Sequence, residues 1–134
     1  MIATKDTAVG TPLPEHVTRA KNVQAREGRD FEKNIHDDAA SQSFGFKRGF
    51  VAGGQSLGWM SQVLVEFFGQ TYYETGQFDA TFTAPVFDDE DIYVRGAVRD
   101  RIEEDGGVRL LCDISLQKED GTKSVVGTAS ALVK

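Results

Sequence analysis

The chain has 134 residues and a mass of 14.7 kDa, a length that fits one domain and leaves little room for two. Hydrophobic residues make up 40% and charged residues 27%, so we expect residues 1–134 to fold around one core. The net charge of −6 disfavours binding to nucleic acid. Cys112 is the only cysteine, which excludes an intrachain disulfide and a cysteine zinc site.

The sequence contains no apolar run of the length that a signal peptide or a membrane-spanning helix needs. Residues 1–14 are polar and mixed in charge, and Gly10, Pro12 and Pro14 interrupt any periodicity there. A single cysteine is typical of a reducing compartment. The sequence therefore predicts a cytoplasmic protein with no membrane partner.

The first half of the chain predicts two short elements and one long helix. Residues 17–25 favour a short strand, and residues 39–44 favour a turn or two of helix with acidic residues near its start. Residues 51–68 are apolar on nearly all sides, with Glu66 as the only charge. Such a helix must be covered on most sides by its own domain or by a partner. Gly69 is expected to end it.

The second half of the chain has the alternation of apolar and polar residues that is typical of half-buried strands. Strands are expected over residues 78–84, 92–99, 108–117 and 125–133. Residues 103–107 and 119–122 have the chemistry of tight hairpin turns, so the last three strands should form an antiparallel sheet. The predicted fold class is α+β, with an antiparallel sheet wrapped around one buried helix.

Only two histidines are present, and histidine is the usual acid or base near neutral pH. His16 lies in a polar stretch without converging groups and is expected at the surface. His36 has Asp30, Glu32 and Asn34 within six residues, which favours an imidazole that is oriented by a neighbour or shares a proton with it. The alternative for this cluster is a helix cap on a solvated surface.

Two further motifs are not assigned a function. Residues 54–58 match the G-x-S-x-G pattern of serine hydrolases, but no histidine follows Ser56, although that mechanism requires one. The acidic residues 88–91 lack the spacing and the glycine of a calcium loop, so we expect a solvated turn. The sequence therefore predicts no metal and no cofactor.

Four stretches follow one another in an order that is typical of a known family. They are NIHDDAA at residues 34–40, GFVAG at 49–53, FTAPVFDDED at 82–91 and GTA at 127–129. All four resemble parts of the MaoC-like, (R)-specific enoyl-CoA hydratases. The first stretch resembles their D-x-N-P-(I/L)-H-x-D signature, and the second resembles the start of their central helix. The third resembles their F-x-x-P-V-(Y/F)-x-G-D turn, and the fourth resembles their closing G-x-A strand. The resemblance covers nearly the whole chain from Val9 onward and implies the hot-dog fold.

The resemblance also implies an activity, the interconversion of enoyl and 3-hydroxyacyl thioesters carried by coenzyme A or by an acyl carrier protein. His36 matches the family's catalytic histidine, and Asn34 matches the asparagine of the motif. The family's catalytic aspartate has two candidate counterparts here. Glu32 occupies the position of the family's aspartate when the asparagines are aligned. When the histidines are aligned instead, Asp30 lies one residue away from that position.

Three further residues are implied to bind the substrate. Gly53 and Gly54 open the central helix, where free backbone N–H groups and the positive end of the helix dipole can polarise the thioester carbonyl. Ser61 matches a serine on the helix face near the site. Two other functions stay open: a non-catalytic protein that binds acyl thioesters or acts as a scaffold, and a thioesterase that uses Glu66.

The sequence also favours a homodimer. The large side chains of Trp59, Phe67 and Phe68 exceed what one small sheet is expected to cover. Exposed strand edges favour pairing about a two-fold axis, and hot-dog proteins usually pair in this way.

Overall fold

The computed structural model describes residues 2–21, 38–43, 45–47 and 49–134. Its elements are β1 (His16–Arg19), α1 (Asp38–Ser43), α2 (Gly53–Phe68), α3 (Gln70–Thr75), β2 (Gln77–Phe82), β3 (Asp91–Glu104), β4 (Gly107–Lys118) and β5 (Lys123–Val133). The strands form one five-stranded antiparallel sheet in the order β1-β3-β4-β5-β2. The predicted antiparallel sheet with its central helix is confirmed. Among the described residues, no helix has the length and apolar character needed to cross a membrane.

Helix α2 supplies the centre of the core. Met60, Leu64, Phe67 and Phe68 are fully buried on it. The helix ends as predicted at Gly69, whose φ of 65° lies in the left-handed region that glycine adopts without strain. The Gly69 N–H donates to the carbonyl of Val65 at 2.7 Å and so closes the last turn.

One side of α2 is open to solvent. Its exposed positions are spaced four residues apart and therefore form a line along the helix; they are Gly54, Gly58, Gln62 and Glu66. Helix α2 is therefore covered on most sides, as expected, and this line is the side that stays open. The expectation that Phe67 and Phe68 exceed what one small sheet can cover is wrong, because a single chain buries both completely.

Side chains that face α2 lie in register across the strands, as the alternation predicts. In one row, Val94 pairs with Leu116 and Leu116 pairs with Val125, and all three are fully buried. Phe82 pairs with Val125 and ends this row at the edge strand β2, where it is 51% exposed. The inner face of the sheet is therefore closed in the middle and open at this end.

The predicted hairpin turns are both present. Between β3 and β4, Asp105 and Gly106 have φ values of 41° and 75°, as a two-residue hairpin turn requires. Between β4 and β5, the Thr122 N–H donates to Asp120 Oδ1 at 2.8 Å, and Gly121 has a φ of 89°. Asp-Gly pairs thus set the register of the last three strands.

The N-terminal segment was expected to hold at most one short strand. The strand expected over residues 17–25 is β1, which ends at Arg19, and residues 22–37 lie outside the described residues. Before β1, the N–H groups of Ile2 and Ala3 donate to the carbonyl of Phe67 at 2.9 and 2.8 Å. This contact satisfies an orphan carbonyl at the end of α2.

Helix α3 closes the end of β5 in a way that the sequence did not indicate. Strand β2 pairs with β5 only as far as Ser130, so the backbone of Leu132 lies beyond the paired edge. The Thr71 hydroxyl donates to the Leu132 carbonyl, and the Leu132 N–H donates to Thr75 Oγ1 at 2.9 Å. Two threonine hydroxyls thus take the place of a neighbouring strand.

An ion pair fixes the β3–β4 hairpin. Arg109 donates from Nε to Glu104 Oε2 at 2.9 Å and from Nη2 to Glu104 Oε1 at 3.1 Å, a two-pronged geometry. Its Nη1 also reaches the Thr75 carbonyl at 3.3 Å and Ser130 Oγ at 3.2 Å. Hydrogen bonds from Arg109 lower the pKa of Glu104 below its ordinary value.

We predict that Glu104→Gln flattens the dependence of stability on pH. A carboxyl group with a lowered pKa in the folded state stabilises the fold above its unfolded pKa and loses that contribution as the pH falls. Urea unfolding from pH 7 to pH 3 should therefore show a steeper loss for wild type than for the variant. Glu103→Gln, at the neighbouring exposed position, is the control and should follow wild type. If the free energy of unfolding falls equally with pH in wild type and in Glu104→Gln, the prediction is wrong.

The turn before β3 contains a strained residue. Asp89 has a φ of 64° and stands where the F-x-x-P-V-(Y/F)-x-G-D motif has glycine. Its N–H donates to the Ala20 carbonyl at 2.7 Å, and its carboxylate contacts Lys21 Nζ and lies 3.8 Å from Arg19 Nε. These contacts join the turn to the end of β1.

We predict that Asp89→Gly is more stable than Asp89→Ala by about 1 kcal/mol, because only glycine avoids the cost of the left-handed conformation. Both variants lose the same carboxylate, so its ion pairs cancel in the comparison. The matched control is Asp79, an exposed residue of β2, where alanine should be the more stable substitution. If the glycine and alanine variants have denaturant midpoints in the same order at position 89 and at position 79, Asp89 is not strained.

Candidate functional site

A cavity of about 330 Å³ opens beside the first turn of α2. Its walls come from the segment before α2, the first turn of α2, the end of β2 with the residues that follow it, and one residue of β5. The lining residues are Phe46, Phe50, Val51, Gly53, Ser56, Phe82, Thr83, Ala84, Pro85, Val86 and Val125. The walls are mostly apolar, which suits the hydrocarbon part of a small ligand.

Backbone pairing holds two of these walls together. Phe50 and Phe87 form an isolated antiparallel bridge, and the Val51 N–H donates to the Val86 carbonyl at 2.7 Å. Phe46 packs edge-on against Phe50, with ring centroids 5.1 Å apart and planes at 67°. The segment that leads into α2 is therefore fixed against the segment that leaves β2.

A nearly buried ion pair supports the wall that follows β2. Glu90 Oε1 accepts from the Phe87 N–H at 3.1 Å, and Glu90 Oε2 lies 3.2 Å from Lys118 Nζ. The side chains of Lys118 and Glu90 are 15% and 23% exposed, and Lys118 Nζ lies 4.9 Å from the centre of the Phe87 ring. Asp88 and Asp89 form a turn before β3 as predicted, but the expectation that this turn is solvated is wrong for Glu90.

The first turn of α2 lies at the end of the cavity. The preceding residue, Ala52, makes no side-chain cap, and the N–H groups of Gln55 and Ser56 return to its carbonyl at 3.0 and 3.3 Å. The earliest N–H groups of a helix have no partner within the helix and carry the positive end of its dipole. A carbonyl or anionic oxygen placed at Gly53 would meet these unpaired N–H groups and the positive end of the helix dipole.

Residue 53 must be small for this arrangement. A Cβ atom on Gly53 would stand 3.1 Å from Phe82 Cζ and 3.3 Å from Phe82 Cε1. Glycine therefore lets the end of the Phe82 ring rest directly against the start of α2. From the sequence, Gly53 is predicted to act through its backbone, whereas Phe82 begins the F-x-x-P-V-(Y/F)-x-G-D motif without an assigned role in the site.

The other predicted residues of α2 lie in different places. Gly54 is exposed on the open side of the helix, and it does not line the cavity. Ser61 lies about two turns farther along α2. Burial raises the pKa of Tyr72 of α3, and the Ser61 hydroxyl beside it lowers that pKa. The structure therefore brings Gly53 to the cavity and does not bring Ser61 there.

Two residues from the alternative functions are placed as well. Ser56 is buried within the first turns of α2, and not on the turn between a strand and a helix that a serine hydrolase needs. Glu66, the candidate for a thioesterase, is exposed and lies about 20 Å along α2 from Gly53. Ser56 is therefore not placed as the nucleophile of a serine hydrolase, and Glu66 is not placed to act as a thioesterase carboxylate at the cavity.

His36, Asn34, Glu32 and Asp30 lie outside the described residues. The described residues on both sides of that segment are anchored near the start of α2. On one side, Gln55 Nε2 donates to the Lys21 carbonyl at 2.5 Å. On the other side, the Gly49 N–H donates to Asp38 Oδ1 at 2.9 Å, one residue before the cavity-lining Phe50.

No protein-family model and no curated protein matches this chain. Solved structures do match. A MaoC-like dehydratase from Rhodospirillum rubrum is 16% identical with a TM-score of 0.78, covering 96% of this chain and 94% of that one. The (R)-hydratase from A. caviae involved in PHA biosynthesis is 18% identical, with a TM-score of 0.71 and coverages of 96% and 98%. A chain of the ChsH1-ChsH2 complex from Mycobacterium tuberculosis is 19% identical, with a TM-score of 0.72 and coverages of 96% and 99%.

These similarities extend over nearly the full length of both partners in each comparison. The element order and the central helix agree with what the sequence motifs imply. The chain therefore has the hot-dog fold of the MaoC-like dehydratases and (R)-hydratases.

Proposed function

We propose that the protein is a MaoC-like hydratase or dehydratase that interconverts enoyl and 3-hydroxyacyl thioesters of coenzyme A or of an acyl carrier protein. The observation that carries this proposal is the apolar cavity that ends at the start of α2, beside Gly53, where Ala52 provides no side-chain cap. The fold supports it, because solved structures with this fold include an (R)-hydratase and a MaoC-like dehydratase.

In this proposal the cavity holds the acyl group, and the helix start binds the thioester oxygen. Addition of water to the double bond moves negative charge onto that oxygen in the transition state. Backbone N–H groups at Gly53, together with the helix dipole, stabilise that charge. The apolar walls keep bulk water away and so strengthen this interaction.

His36 and an acidic neighbour supply the proton transfers. A base takes a proton from water, the resulting hydroxide adds to the β-carbon, and an acid delivers a proton to the α-carbon. We assign these roles to His36 and to either Glu32 or Asp30, with Asn34 as a hydrogen-bonding partner of the substrate. His36 is two residues before Asp38 in the sequence, and Asp38 contacts the segment that lines the cavity.

A second candidate is a protein that binds acyl thioesters without converting them. Among the described residues that line the cavity, the polar side chains are the hydroxyls of Ser56 and Thr83, and none is a carboxylate, an amine or an imidazole. Those walls by themselves would bind an acyl group without turnover. The hydratase or dehydratase needs His36 for turnover, whereas the non-catalytic protein does not need it to bind its ligand.

We predict that purified protein hydrates crotonyl-CoA and that His36→Ala lowers kcat/KM by about 10²- to 10⁴-fold, the usual contribution of a general acid or base. The matched control is His16→Ala, which removes the other histidine and should retain wild-type activity. Glu32→Gln and Asp30→Asn, assayed in parallel, identify the acidic partner. Hydration can be followed by loss of the absorbance of the conjugated thioester.

Each other outcome selects another function. Equal turnover by wild type and His36→Ala would remove the proton-transfer assignment. Binding of crotonyl-CoA without turnover by wild type would favour the non-catalytic protein. Release of free thiol would favour a thioesterase.

We also propose that the protein is a homodimer. The line of exposed residues on α2, described above, leaves half-buried Leu57, Trp59 and Val65 beside it. Strand β2 ends the sheet and has only β5 as its neighbour among the described residues. An open helix side and a sheet edge are the surfaces that a second copy can cover about a two-fold axis.

We expect light scattering at micromolar concentration to give twice the chain mass of 14.7 kDa. Gly58→Glu should shift the mass toward the single chain, because a Cβ at Gly58 meets open space in one chain and glutamate favours helix over glycine. A two-fold interface over this side of α2 would have to bury two such charges, one from each copy. Val9→Glu, at an exposed position of the N-terminal segment, is the control. A single-chain mass for wild type would overturn the dimer.

A further inference from the structure

The nearly buried ion pair between Lys118 and Glu90 lies where three strands end. Lys118 is the last residue of β4, and its Nζ lies 3.3 Å from Oε1 and 3.2 Å from Oε2 of Glu90, the residue before β3. The Glu90 carbonyl accepts from the N–H of Ala20, the residue after β1, at 2.7 Å. Glu90 therefore joins the ends of β1, β3 and β4.

The same ion pair contacts the wall of the cavity without lining the cavity. Glu90 Oε1 accepts from the Phe87 N–H at 3.1 Å, and Lys118 Nζ lies 4.9 Å from the centre of the Phe87 ring. Neither Lys118 nor Glu90 is a lining residue. The pair therefore holds Phe87 by its backbone and by its ring, from outside the cavity.

Phe87 in turn pairs with the segment that leads into α2. It forms the isolated antiparallel bridge with Phe50, and beside that bridge the Val51 N–H donates to the Val86 carbonyl at 2.7 Å. Val51 is buried and precedes Gly53 by two residues. A displacement of this bridge would therefore move the first turn of α2, where the thioester oxygen binds in the proposed function.

Burial makes this pair sensitive to the loss of either partner. Its side chains are the least exposed among the ion pairs of the described residues. Removal of one partner leaves the other charge buried and unpaired. A displacement of about 1 Å near the reacting groups can lower the rate about 10²-fold.

We propose, on the basis of the function proposed above, that Lys118 and Glu90 are positioning residues of the reaction. Their ion pair fixes the start of α2 relative to the thioester carbonyl. Neither residue takes part in proton transfer.

The test measures kcat and KM for crotonyl-CoA and the urea midpoint of Lys118→Met, Glu90→Gln and the double variant. Each single variant should lower kcat by at least about tenfold and leave KM within about twofold of wild type, because the helix start acts mainly in the transition state. The double variant buries no unpaired charge, so it should regain much of the urea midpoint. It should keep the low kcat, because the ion pair that holds Phe87 is still absent. Lys118→Arg, which keeps the charge, should restore most of kcat.

Arg109→Met is the matched control. Arg109 belongs to the other partly buried ion pair, at the β3–β4 hairpin, and its partners Glu104, Thr75 and Ser130 do not line the cavity. This variant should lower the urea midpoint and keep the wild-type kcat. Hydrogen exchange of the Val51 amide, relative to amides in the middle of β4, should be at least about tenfold faster in Lys118→Met and unchanged in Arg109→Met.

The outcomes separate this inference from the function on which it rests. Wild-type kcat in both single variants, or recovery of kcat together with stability in the double variant, would overturn the positioning role and leave the function intact. An equal loss of kcat in Arg109→Met would do the same. If a single variant does not fold, the double variant carries the comparison.

If wild type converts no enoyl thioester, the proposed function fails. The Val51 amide then decides alone whether the ion pair holds the segment before α2. An unchanged exchange ratio in Lys118→Met would overturn that role as well.

Discussion

The packing of α2 against one face of the sheet is the constraint on which the rest of the structure depends. Residues from Met60 to Phe68 contribute the largest fully buried side chains, and rows such as Val94, Leu116 and Val125 form the surface that receives them. Burial of this apolar area is the main force that holds helix and sheet together. The first turn of α2 begins with glycines and lacks such side chains. The contact therefore loosens at that end, and the cavity forms there.

Most of the fold could be predicted because it depends on short-range patterns. Alternation along β3, β4 and β5 defines their inner faces, and Asp-Gly pairs set the hairpins that join them. Contacts between residues far apart in the chain leave no such pattern. Lys118 and Glu90 form their ion pair across 28 positions, and Thr75 reaches Leu132 across 57. Both contacts were missed for that reason.

The candidate site shows the same division. Gly53 could be found because a glycine at a helix start has a local chemical meaning. Phe82 begins the F-x-x-P-V motif, but its alternation with polar neighbours predicts burial, and only its place at the end of a row leaves it half exposed at the cavity. Ser61 follows Gly53 along the same helix, but the rise of the helix places it about two turns away, near Tyr72 of α3. The proposed acid and base, His36 with Glu32 or Asp30, rest on the sequence alone.

The threonine hydroxyls of α3 affect how the protein behaves at high concentration. Unpaired backbone groups at a sheet margin are templates on which other chains stack into fibrils. At the end of β5 the N–H and C=O of Leu132 are occupied by Thr75 and Thr71, so that stretch cannot recruit a foreign strand. Among the described residues, β2 and the last residues of β3, which lie beyond its pairing with β1, keep unpaired edges. Replacement of either hydroxyl by an aliphatic group would leave one backbone group of Leu132 without this partner at the sheet margin.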